Sequence, residues 1–324
     1  MRRTAAVPGP IHIIRDASRG VKPLAARSTA AFRPTPGALT LAALAACVSL
    51  TPRDIAAGPW TRPREGYFAK FAASYLYTRT ELDAAGSEVP VLTSNPLVQS
   101  AAYREVALST YAEYGLSDRW TLVGSLPYKI VTSTRTEISE DASLLREIDA
   151  TNAGLSDLHL GARGALRRGR YPVAVEAGVK IPLGYERVPE NGGPALGSGE
   201  PDVQAALSAG TGAASVYTQA WAAYRVRGGE LDDDVGFGIE AGGRRGRLFA
   251  QALVEGWYST GEIEPLDVSA TTMAVNQDVL KLIASAGART GRQASVVVEV
   301  FHVLDGRNTA AGTTWSLGLV LEAP

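Results

Sequence analysis

The sequence predicts an all-β fold: a transmembrane, antiparallel, up-and-down β-barrel of about twelve strands in a bacterial outer membrane. Three observations predict it. From Gly66 onward, apolar and polar residues alternate in segments of roughly ten, the length a tilted membrane strand requires. Period-two alternation gives one apolar wall and one wet wall. The joints also alternate, tight turns with long polar loops, as expected for short periplasmic turns and long extracellular loops.

The first strand, Gly66–Tyr77, sets Tyr67, Phe71, Tyr75 and Tyr77 against Lys70 and Ser74. Aromatics at both ends suit the membrane–water interface, where a ring has an apolar and a wet side. The polar loop Thr80–Ala101 precedes Tyr103–Tyr114, and the turn Gly115–Arg119 leads into Trp120–Val131. Residues 132–153, rich in Thr, Ser, Glu and Asp, are expected to form a second long loop. Leu155–Leu166 opposes Leu158, Leu160 and Ala162 to Asp157, His159 and Arg163. After the joint Arg167–Arg170, Val173–Leu183 opposes Val175, Ala177 and Val179 to Glu176 and Lys180.

The third long loop, Gly184–Gly199, is rich in Gly and Pro. Glu200–Ala209 alternates Asp202, Gln204 and Ser208 with Val203, Ala205 and Leu207, then turns at Gly210–Ala214 into Ser215–Arg227. Gly228–Asp233 is the one short outer joint. Asp234–Gly242 and Leu248–Tyr258 flank the basic turn Gly243–Arg247, and Ser259–Gln277 is the fourth long loop. Val279–Thr290 opposes Leu280, Leu282 and Ala284 to Lys281, Ser285 and Arg289. The turn Gly291–Gln293, the strand Ala294–Val303 and the joint Leu304–Ala311 lead to the last strand, Gly312–Glu322. An even count puts both termini on the short-turn side. Closure follows because lipid cannot solvate an open strand edge.

The 324 residues divide at residue 57. Residues 1–57 read as an export leader: a basic stretch with Arg2, Arg3, Arg15 and Arg33, then the short apolar run Ala38–Leu50. The basic stretch is long, so translation starting at Val21 is an alternative. Cys47, the one cysteine, follows Leu44-Ala45-Ala46 as in a bacterial lipobox, which makes it a lipidation candidate; cleavage near Ala57 or Gly58 is the alternative. Residues 58–324 form the barrel. A net charge of −1 with 20% charged residues leaves no basic stripe for nucleic acid.

The wet wall mixes both signs. The lumen-facing candidates are Asp157, His159, Arg163, Glu176, Lys180, Asp202, Arg225, Glu240, Glu255, Lys281, Arg289 and Glu299, with Glu105 and Glu113 of the same parity. Such a wall either guides polar solutes through water or fills the interior with cross-strand ion pairs. The hairpin turn near Gly169 places Arg163 opposite Glu176. No catalytic, zinc or phosphate-loop motif is present, so neither enzyme activity, metal nor cofactor is expected. His302 has outward parity and reads as a polar residue at the rim rather than half of a Ser–His pair. The acidic runs Asp232–Asp234 and Glu262–Asp267 lack Ca²⁺-loop spacing and read as solvated loops.

Short motifs also carry a resemblance. Gly115-Leu116-Ser117-Asp118-Arg119-Trp120 with Leu126-Pro127-Tyr128, Gly154-Leu155-Ser156-Asp157-Leu158, and Lys180-Ile181-Pro182-Leu183-Gly184 followed by Gly197-Ser198-Gly199 are similar to motifs of the outer-membrane proteins named for the MetA pathway of phenol degradation. The resemblance implies a channel-like barrel and a route for small hydrophobic or aromatic solutes. The expected partners are outer-membrane lipid and the barrel assembly machinery. The chain ends Leu321-Glu322-Ala323-Pro324 without a terminal Phe, leaving Trp315, Leu317, Leu319 and Leu321 as the assembly signal. Two other readings stand beside a channel: a non-conducting barrel acting through its extracellular loops, and a lipid-active enzyme.

Overall fold

The computed structural model describes residues 58–139, 144–213, 215–266, 269, 271 and 275–323. The leader with Cys47 lies outside the described residues, as does Asp267. Alternation becomes twelve wall strands: β1 Tyr67–Thr78, β2 Val98–Ser117, β3 Trp120–Ile138, β4 Leu145–Leu155 continued as Asp157–Arg167, β5 Val173–Pro182 and β6 Asp202–Ala213. They are followed by β7 Val216–Arg227, β8 Asp234–Arg245, β9 Leu248–Ser259, β10 Asp278–Arg289, β11 Ala294–Arg307 and β12 Thr313–Ala323. Each pairs antiparallel with its sequence neighbours, and β1 pairs with β12, from Tyr67 opposite Ala323 to Leu76 opposite Thr314. The barrel is closed.

Burial is inverted relative to a soluble fold. Outward side chains such as Leu108, Leu207, Trp315 and Leu317 are exposed by more than half, whereas Glu113, Asp202 and Glu299 are buried. An apolar outer wall around a charged interior is the arrangement that lipid outside and water inside select. The protein is an outer-membrane β-barrel.

Residues 132–153 correct the sequence expectation. Their described residues, 132–139 and 144–153, are not loop but two paired strand arms of a hairpin, with Thr132 opposite Thr151 and Ile138 opposite Leu145. Both faces of its arms carry mainly Thr, Ser, Asn and charged residues, so no apolar period marks it. A bulge lies at its base: Tyr128 faces Leu155, but Ser125 faces His159, leaving Ser156 as the extra residue. That residue switches the inward parity of β4 from even (Ala150, Asn152) to odd (Asp157, Arg163). The expected loop Thr80–Ala101 likewise contains two short strands, Thr80–Leu82 and Glu88–Pro90, which join Thr309–Ala310 in a small sheet above the seam between β1 and β12.

Candidate functional site

The strand ladder decides which inward charges meet. The short β4–β5 joint sets Arg163 opposite Glu176 and His159 opposite Lys180; Lys180 in turn opposes Asp202 on β6. Arg163 donates from Nε to Glu176 Oε2 at 2.8 Å and from Nη1 to Glu113 Oε1 at 2.9 Å. Glu113, 1% exposed, also accepts from the Tyr111 hydroxyl at 2.7 Å and from Arg62 Nε at 2.6 Å. A buried carboxylate between two guanidiniums is held by charge-assisted bonds, and its desolvation is offset only while both cations stay.

Arg62 lies outside the wall, in the segment that precedes β1. Residues 58–66 run from the β2–β3 turn across the periplasmic end of the lumen to β6 and β7. Thr61 Oγ1 donates to Asp118 O, Arg62 N to Thr121 Oγ1, and Glu65 N to Gly115 O, all at 2.8 Å. At the far end Trp60 meets Tyr217 edge-on with centroids 6.0 Å apart. Two glycines make room for this strap. A Cβ at Gly115 would stand 1.8 Å from Pro63 O, and one at Gly210 would stand 2.8 Å from the Trp60 ring. Sequence reasoning missed the strap because it has no period; the pair Pro59-Trp60 and the later Pro63 only announce that it is not a strand.

The opposite mouth is occupied by residues 183–201. Asn152 Nδ2 donates to Pro194 O at 2.9 Å, Ser156 to Leu196 O, and Leu196 packs against Tyr103 and Val131. Lys180, 2.6 Å from Asp202 and 4.0 Å from Asp157, also reaches Ser198. The Tyr185 hydroxyl donates to Asp157 and accepts from Gly199 N at 3.0 Å. Burial first, and then the Asp157 bond, push that hydroxyl above its ordinary pKa, so it remains a donor.

The remaining candidates are distributed around the wall. Arg225 bonds Asp234 at 3.3 Å and Gln204 at 3.1 Å, with its guanidinium 3.8 Å above the Trp257 ring. Lys281 pairs with Glu255 at 2.9 Å, Arg289 with Glu322 at 3.2 Å, and Glu299 with Lys70 while accepting from Ser285. Glu240 accepts from Tyr217. His159 lines a mid-lumen cavity of about 220 Å³ with Glu176, Lys180, Asp202 and Arg225. A larger cavity of about 340 Å³ lies on the β8–β12 side, where Phe68, Tyr111 and Phe249 stand beside Lys70, Arg247 and Arg289.

Two other sequence features find plain partners. His302 faces outward, with Nδ1 2.8 Å from Thr313 Oγ1. Asp232 accepts from Asn276, Asp233 from Tyr224, and Asp234 holds Arg225. No group of metal-ligating side chains occurs among the described residues.

Fold and lumen together define a twelve-stranded outer-membrane barrel of channel-like architecture. An outer membrane channel from Pseudomonas putida F1 is similar, with a TM-score of 0.60 at 12% identity over 84% of this chain and all of that one. The KdgM porin, solved in complex with disordered oligogalacturonate, and the NanC porin each score 0.43 at 6% identity, covering 79% and 78% of this chain and 99% and 100% of theirs. At 12% identity the likeness to the Pseudomonas putida channel concerns fold alone. No protein-family model and no curated protein matches the sequence, so the MetA-pathway resemblance is not confirmed.

Proposed function

We propose that this chain is an outer-membrane channel for small solutes, with aromatic or otherwise apolar compounds as the class that fits it. The observation that carries the reading is the cavity of about 340 Å³ beside the strap, where the inward rings of Phe68, Tyr111 and Phe249 stand among four cations, Lys70, Arg244, Arg247 and Arg289, and three carboxylates, Glu240, Glu299 and Glu322. A charged lumen alone suits any ion; ring faces placed among the charges favour flat, apolar solutes that carry an anionic group. Loop 183–201 and the strap occupy the two mouths, so passage is narrow. Outer-membrane lipid and the barrel assembly machinery are its partners in this reading.

In a planar bilayer, benzoate is expected to block ion current more than acetate at equal concentration. Phe249→Leu should weaken the benzoate block roughly two- to tenfold, the range of one aromatic contact, and leave acetate unchanged. Equal block by both anions would remove the aromatic preference. The occupied mouths favour a second reading, a non-conducting barrel that works through its loops; a silent bilayer under every condition selects it.

A further inference from the structure

The two rims of the barrel carry opposite charge. On the loop side, exposed acids such as Glu88, Glu147, Glu186, Glu190, Glu230 and Glu264 predominate. On the turn side the exposed charges are almost all arginine. Glu65 and Asp118 are the exposed acids there among the described residues, and each lies beside an arginine, Arg64 at 3.7 Å and Arg168 at 3.8 Å. Arg119, Arg167, Arg170, Arg245, Arg247 and Arg292 are exposed and have no carboxylate partner among the described residues.

These side chains adjoin the lipid-facing wall. Tyr67, Tyr114, Trp120 and Tyr171 are exposed at the turn end of the outer surface, and the Arg170 guanidinium lies 5.3 Å above the Tyr171 ring. Aromatic rings at that level mark the headgroup region, and a guanidinium one residue beyond is placed to meet phosphate. Phospholipid, including its anionic fraction, faces this rim in the periplasmic leaflet. Solvation alone would not require arginine at four of the five turns and almost no acid.

We propose that the periplasmic rim binds the phosphate headgroups of anionic phospholipids. The Arg119–Arg170 face is its most continuous part, since Arg168 and Asp118 join the two turns. Each arginine near an anionic surface strengthens binding roughly fivefold at moderate salt, and screening weakens it.

The test uses the purified barrel in vesicles containing brominated phosphatidylglycerol or brominated phosphatidylethanolamine at equal mole fraction. The quenching component abolished by Trp120→Phe reports lipid at this rim. Phosphatidylglycerol is expected to quench it several-fold more strongly, with the ratio falling towards one at high salt. The same fall is expected in a barrel carrying Arg119→Gln, Arg167→Gln and Arg170→Gln whose heat-modifiable migration shows it folded. Equal quenching by the two lipids in the unaltered protein, a salt-independent ratio, or a preference that survives in the folded variant would overturn the proposal. Should the variant instead lose co-sedimentation with purified peptidoglycan while its lipid preference is unchanged, the rim reads the cell wall and the proposal also fails.

Discussion

Glu113→Gln is expected to lower the stability of the barrel by roughly 3–5 kcal/mol, the usual result of removing one partner from a buried ion pair. The substitution preserves volume, so packing does not confound it. It removes the charge that Arg62 and Arg163 share at 2.6 and 2.9 Å. Arg163 keeps Glu176, which is 30% exposed, so the effect should fall towards the lower end of the range. Arg62 keeps only its position 4.9 Å above the Phe68 ring among its wall contacts from the guanidinium. A urea titration of the folded, heat-modifiable form measures the change. An unaltered midpoint would show that the Arg62–Glu113–Arg163 group is incidental to folding.

A charge moved across the wall by one residue should have the other large effect. Leu207 is 53% exposed at the middle of β6 and faces lipid, whereas its neighbour Ala206 faces inward opposite Glu176. Leu207→Arg places a cation in hydrocarbon and should cost roughly 2–4 kcal/mol, enough to reduce the assembled fraction visibly. Ala206→Arg offers Glu176 a second cation in a wet interior and should assemble. Comparison of heat-modifiable barrel in purified outer membranes decides. Equal yields for the two variants would mean that the faces are assigned wrongly.

The wall was legible in the sequence because lipid imposes a period. Val175, Ala177 and Val179 alternate with Glu176 and Gly178, and no other environment asks for that over so many segments. Tight joints also fix register, so the opposition of Arg163 and Glu176 can be read from the turn between them. What escaped is whatever lipid does not touch. The hairpin of residues 132–153 is polar on both faces and looks like a loop. Ser156 adds one residue to a strand without altering composition. Leu196 and Trp60 enter the lumen from aperiodic segments, and nothing local marks an aperiodic residue as inward. The Glu113 node shows the same limit: its parity is readable, but its partner Arg62 comes from the strap.

In the function proposed above, the lumen is a solute passage narrowed by the strap of residues 58–66. Single-channel conductance in planar bilayers tests it most directly, comparing the unaltered protein with a folded variant carrying Trp60→Ala and Arg62→Ala. Those two side chains hold the strap to Tyr217 at one end and to Glu113 at the other. A small but measurable conductance is expected for the unaltered barrel and a several-fold larger one for the variant. Two folded barrels that conduct equally, or do not conduct at all, would contradict it.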